Sequence, residues 1–164
     1  MAYKKTVESI SSQGKDHHTF KYWSLSENGG AYNFDTKITE NITLYAVYTA
    51  NNYTATFNGN GGNNGTSITK AYNSELGTLP TSSRKYTITY DLNSTGCSRN
   101  KSSDTVSYTF DGWYTSSSGG SKISTTTKLT QNVTYYAHWT SASTTLAVFH
   151  TVHGILHVDQ GNVQ

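Results

Sequence analysis

The chain has 164 residues, 12 basic against 10 acidic, and only 13% charged residues. That length suits one domain or two small ones, and the scattered charges form no stripe able to neutralise a run of phosphates, which excludes nucleic acid as an expected partner. Thirteen Tyr, 14 Gly and a single Pro in a background of Thr, Ser and Asn suit pleated strands joined by tight turns and suit long helices badly, so the fold class is expected to be mainly β.

In chain order, the opening "MAYKKTVESISSQGKDHHTF" contains no apolar core of signal-peptide length, and no later stretch is long enough to span a bilayer. The chain reads as soluble. "NITLYAVYT" alternates Ile42, Leu44, Ala46 and Tyr48 on one face with polar residues on the other, the period-2 signature of a half-buried strand. "YTATF" follows with Tyr53, Ala55 and Phe57 inward. "ITKAYNSELGTLP" places Ile68, Ala71, Tyr72, Leu76 and Leu79 near helical spacing and fits either a short helix or a strand followed by a turn. "YTITY" puts Tyr86, Ile88 and Tyr90 inward. Cys97, the single cysteine, sits among turn residues and has no second thiol for a disulfide or a thiolate metal site. "NVTYYAHWT" repeats the earlier alternation with Val133, Tyr135, Ala137 and Trp139.

The chain repeats itself. Phe20 falls on Phe110, Trp23 on Trp113 and Gly29-Gly30 on Gly119-Gly120 at an offset of 90 residues. After one inserted residue, "TENITLYAVYT" falls on "TQNVTYYAHWT" at an offset of 91, pairing Asn41 with Asn132 and Tyr48 with Trp139. A fixed period of this kind marks a recurring structural unit, and anchors return because each unit needs its own core. The expected core is Phe20, Trp23, Tyr48, Phe57, Phe110, Trp113 and Trp139, with both tryptophans of the second unit largely buried. Tyr45, Tyr114 and Tyr136 form the candidate contact surface.

"YTATFNGNGG", "YTFDGWYT" and "NVTYYAHWT" together resemble the Listeria–Bacteroides repeat, the B-repeat family associated with internalin surface proteins. The resemblance covers residues 19–49 and 53–140. It implies tandem small β-sheet modules of β-grasp-like form with at most one short helix each, and no catalytic residues. On that reading residues 1–50 are an incomplete first module, 53–140 a complete long one, and 141–164 the start of a further module or a strand-donating tail. The unit is longer than the usual repeat, because residues 86–107 stand between "GTLPTSSRK" and the Y-T-F motif.

Chemical motifs are few. His150, His153 and His157, with Asp159 close by, have metal-ligand spacings only on a helix, and the surrounding valines argue for extended chain that scatters them between faces. No nucleophile elbow, phosphate loop or zinc-protease motif occurs, and "GNGG" is turn chemistry. Six Asn-x-Ser/Thr sequons begin at Asn41, Asn52, Asn64, Asn93, Asn100 and Asn132, but Asn41 and Asn132 stand where a turn enters a strand, a place Asn favours on its own account. Lys128, Asn132 and Asp111 make a lysine–asparagine covalent link conceivable.

The expected function is therefore a non-catalytic module of a bacterial surface or extracellular protein, adhesive or a stalk spacer, without metal or cofactor and without membrane insertion. Its expected partners are a protein or glycan on a host or neighbouring cell, or adjacent copies of the chain by strand addition: residues 144–158 are expected to add as a β-strand to an incomplete sheet, either the first unit of the same chain or that of a neighbouring copy. The alternative is a phage virion component, a decoration or fibre protein, built from the same repeat.

Overall fold

The computed structural model describes residues 14–89, 98–99, 103–141, 145–152 and 155–162, with side chains for 14–87 and 105–141. Twelve strands are assigned and, among the described residues, no helix. They are β1 (His18–Ser24), β2 (Tyr45–Ala50), β3 (Asn52–Asn58), β4 (Gly65–Ala71), β5 (Ser74–Glu75), β6 (Arg84–Thr89), β7 (Ser98–Arg99), β8 (Ser103–Tyr114), β9 (Lys128–Leu129), β10 (Val133–Thr140), β11 (Thr145–Val152) and β12 (Ile155–Asn162).

The second unit is a five-stranded sheet in the order β4-β3-β10-β8-β6. Its centre is parallel, with Val133 to Tyr136 of β10 opposite Ala55 to Asn58 of β3, whereas β3/β4, β10/β8 and β6/β8 are antiparallel. A first strand and a last strand lying parallel at the centre, each with an antiparallel neighbour outside, is the β-grasp arrangement. Parallel neighbours need a crossover. Here the crossover carries β4, the β5/β9 pair and the loop to Pro80, and it returns over one face of the sheet.

That face holds the core. Ala55, Phe57, Trp113, Tyr135 and Ala137 come from the sheet and Leu76, Ile123 and Leu129 from the covering layer, all buried. Phe57 meets Trp113 edge-on at 5.0 Å, and Phe110 bridges Trp113 at 5.3 Å and Trp139 at 5.4 Å. Both indoles also hold loops: Trp113 Nε1 donates to Pro80 O at 2.6 Å and Trp139 Nε1 to Gly59 O at 3.0 Å. Trp113 is 1% exposed, while Trp139 and Phe110 are half-buried at the rim.

Phe110 and Trp113 lie three apart, an interval that would put them on opposite faces of a regular strand. A β-bulge resolves this. Trp139 pairs with Phe110 and His138 with Gly112, so Asp111 has no partner of its own across the ladder. Gly112 takes φ 140°, and a Cβ there would stand 2.5 Å from the Lys122 side chain. The first unit, β1 paired with β2, bulges at the equivalent place: Phe20 pairs with Tyr48 and Tyr22 with Val47, leaving Lys21 out.

The segment with near-helical spacing is strand, turn and strand: β4, then Asn73 in a left-handed conformation at φ 62°, then β5. Several of the sequence expectations need correction. Trp139, expected to be largely buried, is half-buried because it stands at the rim of the core, and Ile42, expected on an inward face, is 37% exposed, since β2 begins only at Tyr45. Tyr86 is 46% exposed. It lies on the core face, but β6 is the sheet's edge and the covering layer stops short of it, so its ring packs on Tyr108 with the Arg84 guanidinium over both. Residues 145–152 do not join the first unit of the same chain: β11 lies between β12, in register from Thr145↔Asn162 to Val152↔Ile155, and β7. Two apolar-rich strands separated by two residues satisfy each other locally before any distant sheet edge can. His150 and His157 are register partners in that pair; their side chains and those of Ile88 and Asp159 lie outside the described set, as do Tyr90, Cys97 and His153 entirely.

Burial sets the expected energetics. Trp113→Ala should destabilise the second unit by about 3–5 kcal/mol, whereas Trp23→Ala, at a half-buried position, should cost clearly less. Urea unfolding followed by amide exchange at Ala55 and Ala137 measures the first, and exchange at Ala46 the second.

Candidate interaction surfaces

Two arrangements stand out on the surface. The first lies on the outer face of β8 and β10. The bulge turns Asp111 outward, the hairpin after β8 returns through the bridge Tyr114↔Lys122, and Lys122 Nζ thereby reaches Asp111 Oδ1 at 3.1 Å. The Tyr114 hydroxyl donates to Asp111 Oδ2. The Tyr114 ring is stacked on His138 at 3.8 Å with planes 6° apart, and the Lys122 ammonium lies 5.9 Å from its centroid. His138 Nε2 is 2.9 Å from Ser116 O, as expected for a donor N–H to the hairpin carbonyl.

Electrostatics follow the bonds. The Tyr114 hydroxyl, then the Lys122 ammonium, hold the Asp111 carboxyl below its ordinary value, and the same hydrogen bond to Asp111, seconded by desolvation, pushes the Tyr114 hydroxyl up. Asp111 is exposed and Tyr114 no more than half-buried, so the cluster orders a surface and adds little stability. With one ring face already taken by His138, Tyr114 is a fixed strut more than an open stacking platform. Asp111 is committed to Lys122 and Tyr114, and the Asn132 amide oxygen accepts the Thr54 N–H at 2.9 Å; Asp111, Lys128 and Asn132 are all exposed. The structure thus holds no buried lysine–carboxylate–asparagine set at these positions.

Tyr136 is half-buried beside Tyr114, its register partner. Tyr45 is 41% exposed at the edge of a shallow depression of about 430 Å³ lined by Leu25, Ser26, Glu27 and Asn28. The three tyrosines therefore do not form one patch: Tyr114 and Tyr136 belong to the second unit and Tyr45 to the first. Another depression, about 310 Å³, follows the parallel pair between Thr54, Thr56, Asn132, Val133 and Thr134. Among the described residues no group of His, Cys, Asp and Glu is placed to hold a metal ion.

The second arrangement joins the units. Asn51 alone separates β2 from β3. Its N–H donates to His17 O at 2.8 Å, its carbonyl accepts the Tyr72 N–H at 2.8 Å, and its side-chain oxygen accepts the Thr19 hydroxyl at 2.6 Å. The His17 ring, on a residue at φ 59°, stacks on Tyr72 at 4.1 Å and 12°, with Nδ1 3.0 Å from the Tyr53 hydroxyl. His18 meets Tyr72 edge-on. The repeat pattern gave no hint of this clasp, because His17 and Tyr72 lie outside the matching anchors.

Strand-only units with an aromatic core, repeated along the chain and clasped end to end, define a tandem β-repeat protein. The family model of the Listeria-Bacteroides repeat domain matches residues 1–47 and 86–138, more than half of the sequence, and the chain belongs to that family. Internalin H of Listeria monocytogenes is 30% identical over 131 residues, 77% of this chain and 20% of that protein. A protein named as a membrane protein of Evansella cellulosilytica is 36% identical over 76 residues, 45% of this chain and 11% of that protein. The chain thus spans a fifth or less of these relatives. No solved structure matches it. Among the described residues no helix is long and apolar enough to cross a membrane.

The Asp111 cluster has a pH signature. A depressed carboxyl contributes stability that is present above the unfolded value of 3.8 and is lost as pH falls through the lower folded value. In a carbon-detected NMR titration the Asp111 carboxyl should show its midpoint below 3.8, and Tyr114→Phe should move that midpoint back up, since the tyrosine hydrogen bond is the largest cause.

Proposed function

We propose that the chain is a non-catalytic spacer segment of a bacterial surface protein, in which successive β-grasp-like units are held at a fixed mutual angle. The observation that carries this reading is the joint at Asn51. A one-residue linker whose backbone N–H, carbonyl and side-chain oxygen are all bonded, with an aromatic stack across it, leaves few free torsions between units. Membership in the repeat family and the likeness to Internalin H support a setting at the cell surface.

An adhesive role is the second reading, and it rests on the depression beside the exposed Tyr45 and Leu25 of the first unit. Exposed aromatic and aliphatic side chains rimmed by Ser, Glu and Asn suit a protein or glycan partner on another cell.

Spin labels at Lys37→Cys and Ser118→Cys, in a Cys97→Ser background, test the spacer. The distance distribution between them is expected to be narrow in the parent and to broaden in Tyr72→Ala with both units still folded. A broad distribution in the parent refutes a fixed joint. Adhesion is tested separately: Tyr45→Ser with Leu25→Ser should abolish cell binding by the displayed repeat if the depression is its contact.

A further inference from the structure

The edge of the second unit holds a half-buried cation, Arg84, that has no acidic partner among the described residues. Arg84 opens β6 on the same face as Tyr86, and its register partner on β8 is Tyr108. Its guanidinium carbon lies 4.3 Å from the Tyr108 ring centroid and 5.2 Å from that of Tyr86, and the two rings meet edge-on at 5.8 Å. Arg84 Nε donates to the Tyr86 hydroxyl at 3.3 Å. The neighbouring turn fixes the group further. Gly61, at φ 91°, lets that turn come so close that a Cβ there would stand 3.3 Å from the guanidinium carbon. The turn is in turn tied to the start of β6: Asn63 N donates to Ser83 O at 2.9 Å, Asn63 Nδ2 to Ser83 Oγ at 3.0 Å, and the Ser82 hydroxyl to Asn63 O.

These features select a ligand. With Nε committed to Tyr86, the Nη1–Nη2 edge of Arg84 is the fork that remains, and it matches the two oxygens of a carboxylate. Beside it the Tyr86 ring, 46% exposed, offers an apolar face with a polar tip. The rim of Asn63, Ser82 and Ser83 is built from an amide and hydroxyls, groups that a polyhydroxylated ligand matches and an apolar protein anchor does not. The position also differs between the copies. At the 90-residue offset Tyr108 stands where the first unit has His18, whose ring is spent on the joint with Tyr72.

We propose that this corner binds an acidic sugar, a pyranose carrying a carboxylate, with the carboxylate on the Arg84 fork and the C–H face of the ring on Tyr86. Tyr108 carries the guanidinium on its own ring and so presents the fork in one orientation, which limits the side-chain freedom lost on binding. The site stands apart from the joint at Asn51 and from the depression at Tyr45, so the failure of either reading leaves it untouched.

The probes are sialyllactose and a glucuronate-containing oligosaccharide, titrated into the isotope-labelled full chain, with lactose as the neutral control and a short glutamate-rich peptide as the protein-type control. Saturable binding of at least one acidic sugar is expected, with amide shifts confined to residues 60–63, 82–87 and 107–109 and no such shifts with lactose. Arg84→Gln should abolish binding, and Arg84→Lys should weaken it about ten-fold, since the ammonium keeps the charge and loses the fork. Tyr86→Ala, at an exposed edge position, should weaken it about five-fold. Absence of saturation by either acidic sugar at millimolar concentration overturns the proposal. Equal binding of lactose overturns it too, as does full affinity in Arg84→Gln with the Ala55 and Ala137 amides in place. If Arg84→Gln disturbs the fold, full affinity in Tyr86→Ala is the overturning result. A glutamate-rich peptide that binds as tightly as the sugars at the same residues refutes the sugar and means a protein partner.

Discussion

The bulge at Asp111 is the constraint on which the second unit turns. Without an extra residue between Phe110 and Gly112, Phe110 and Trp113 would face opposite sides of the sheet, and the row Phe57–Trp113–Phe110–Trp139 could not form. The same irregularity does a second thing. By taking Asp111 out of the ladder it presents the carboxylate to Lys122 and Tyr114, so core packing and surface charge are set by one backbone event. Because the first unit bulges at Lys21, the backbone device recurs while its outward residue changes from acid to base.

Much of the fold was legible in the sequence because it rests on local alternation and on repetition. Ala46 and Ala137 can be aligned by eye and take the inward face by period 2, and Trp23 aligns with Trp113 as a shared anchor, although the bulges that set these tryptophans on the same face as Phe20 and Phe110 break that period. Tyr86 misled because alternation tells which face a side chain takes and not whether anything covers that face; coverage depends on where a distant crossover ends. The stretch from Ile68 to Leu79 was ambiguous for a related reason, since two short strands around a left-handed Asn73 mimic helical spacing.

The surfaces were far less legible. The Tyr114–His138 stack requires two strands and a hairpin return to meet, and the His17–Tyr72 stack requires two separate units to meet. Neither involves residues that repeat. Positions that differ between otherwise matching copies, such as Asp111 against Lys21 and His138 against Val47, were the available signal. They mark what each copy does beyond folding.

The parallel pairing of β3 with β10 has a mechanical consequence. The second unit's first strand enters at Asn52 and its last leaves at Thr140, and the two run the same way side by side. Tension applied through the flanking chain therefore pulls β3 and β10 in opposite directions along their common ladder. Hydrogen bonds arranged in this way are loaded together in shear, where an antiparallel hairpin pulled at its open end would yield them one after another. A unit of modest core size can thus resist a pulling force out of proportion to its resistance to heat or denaturant.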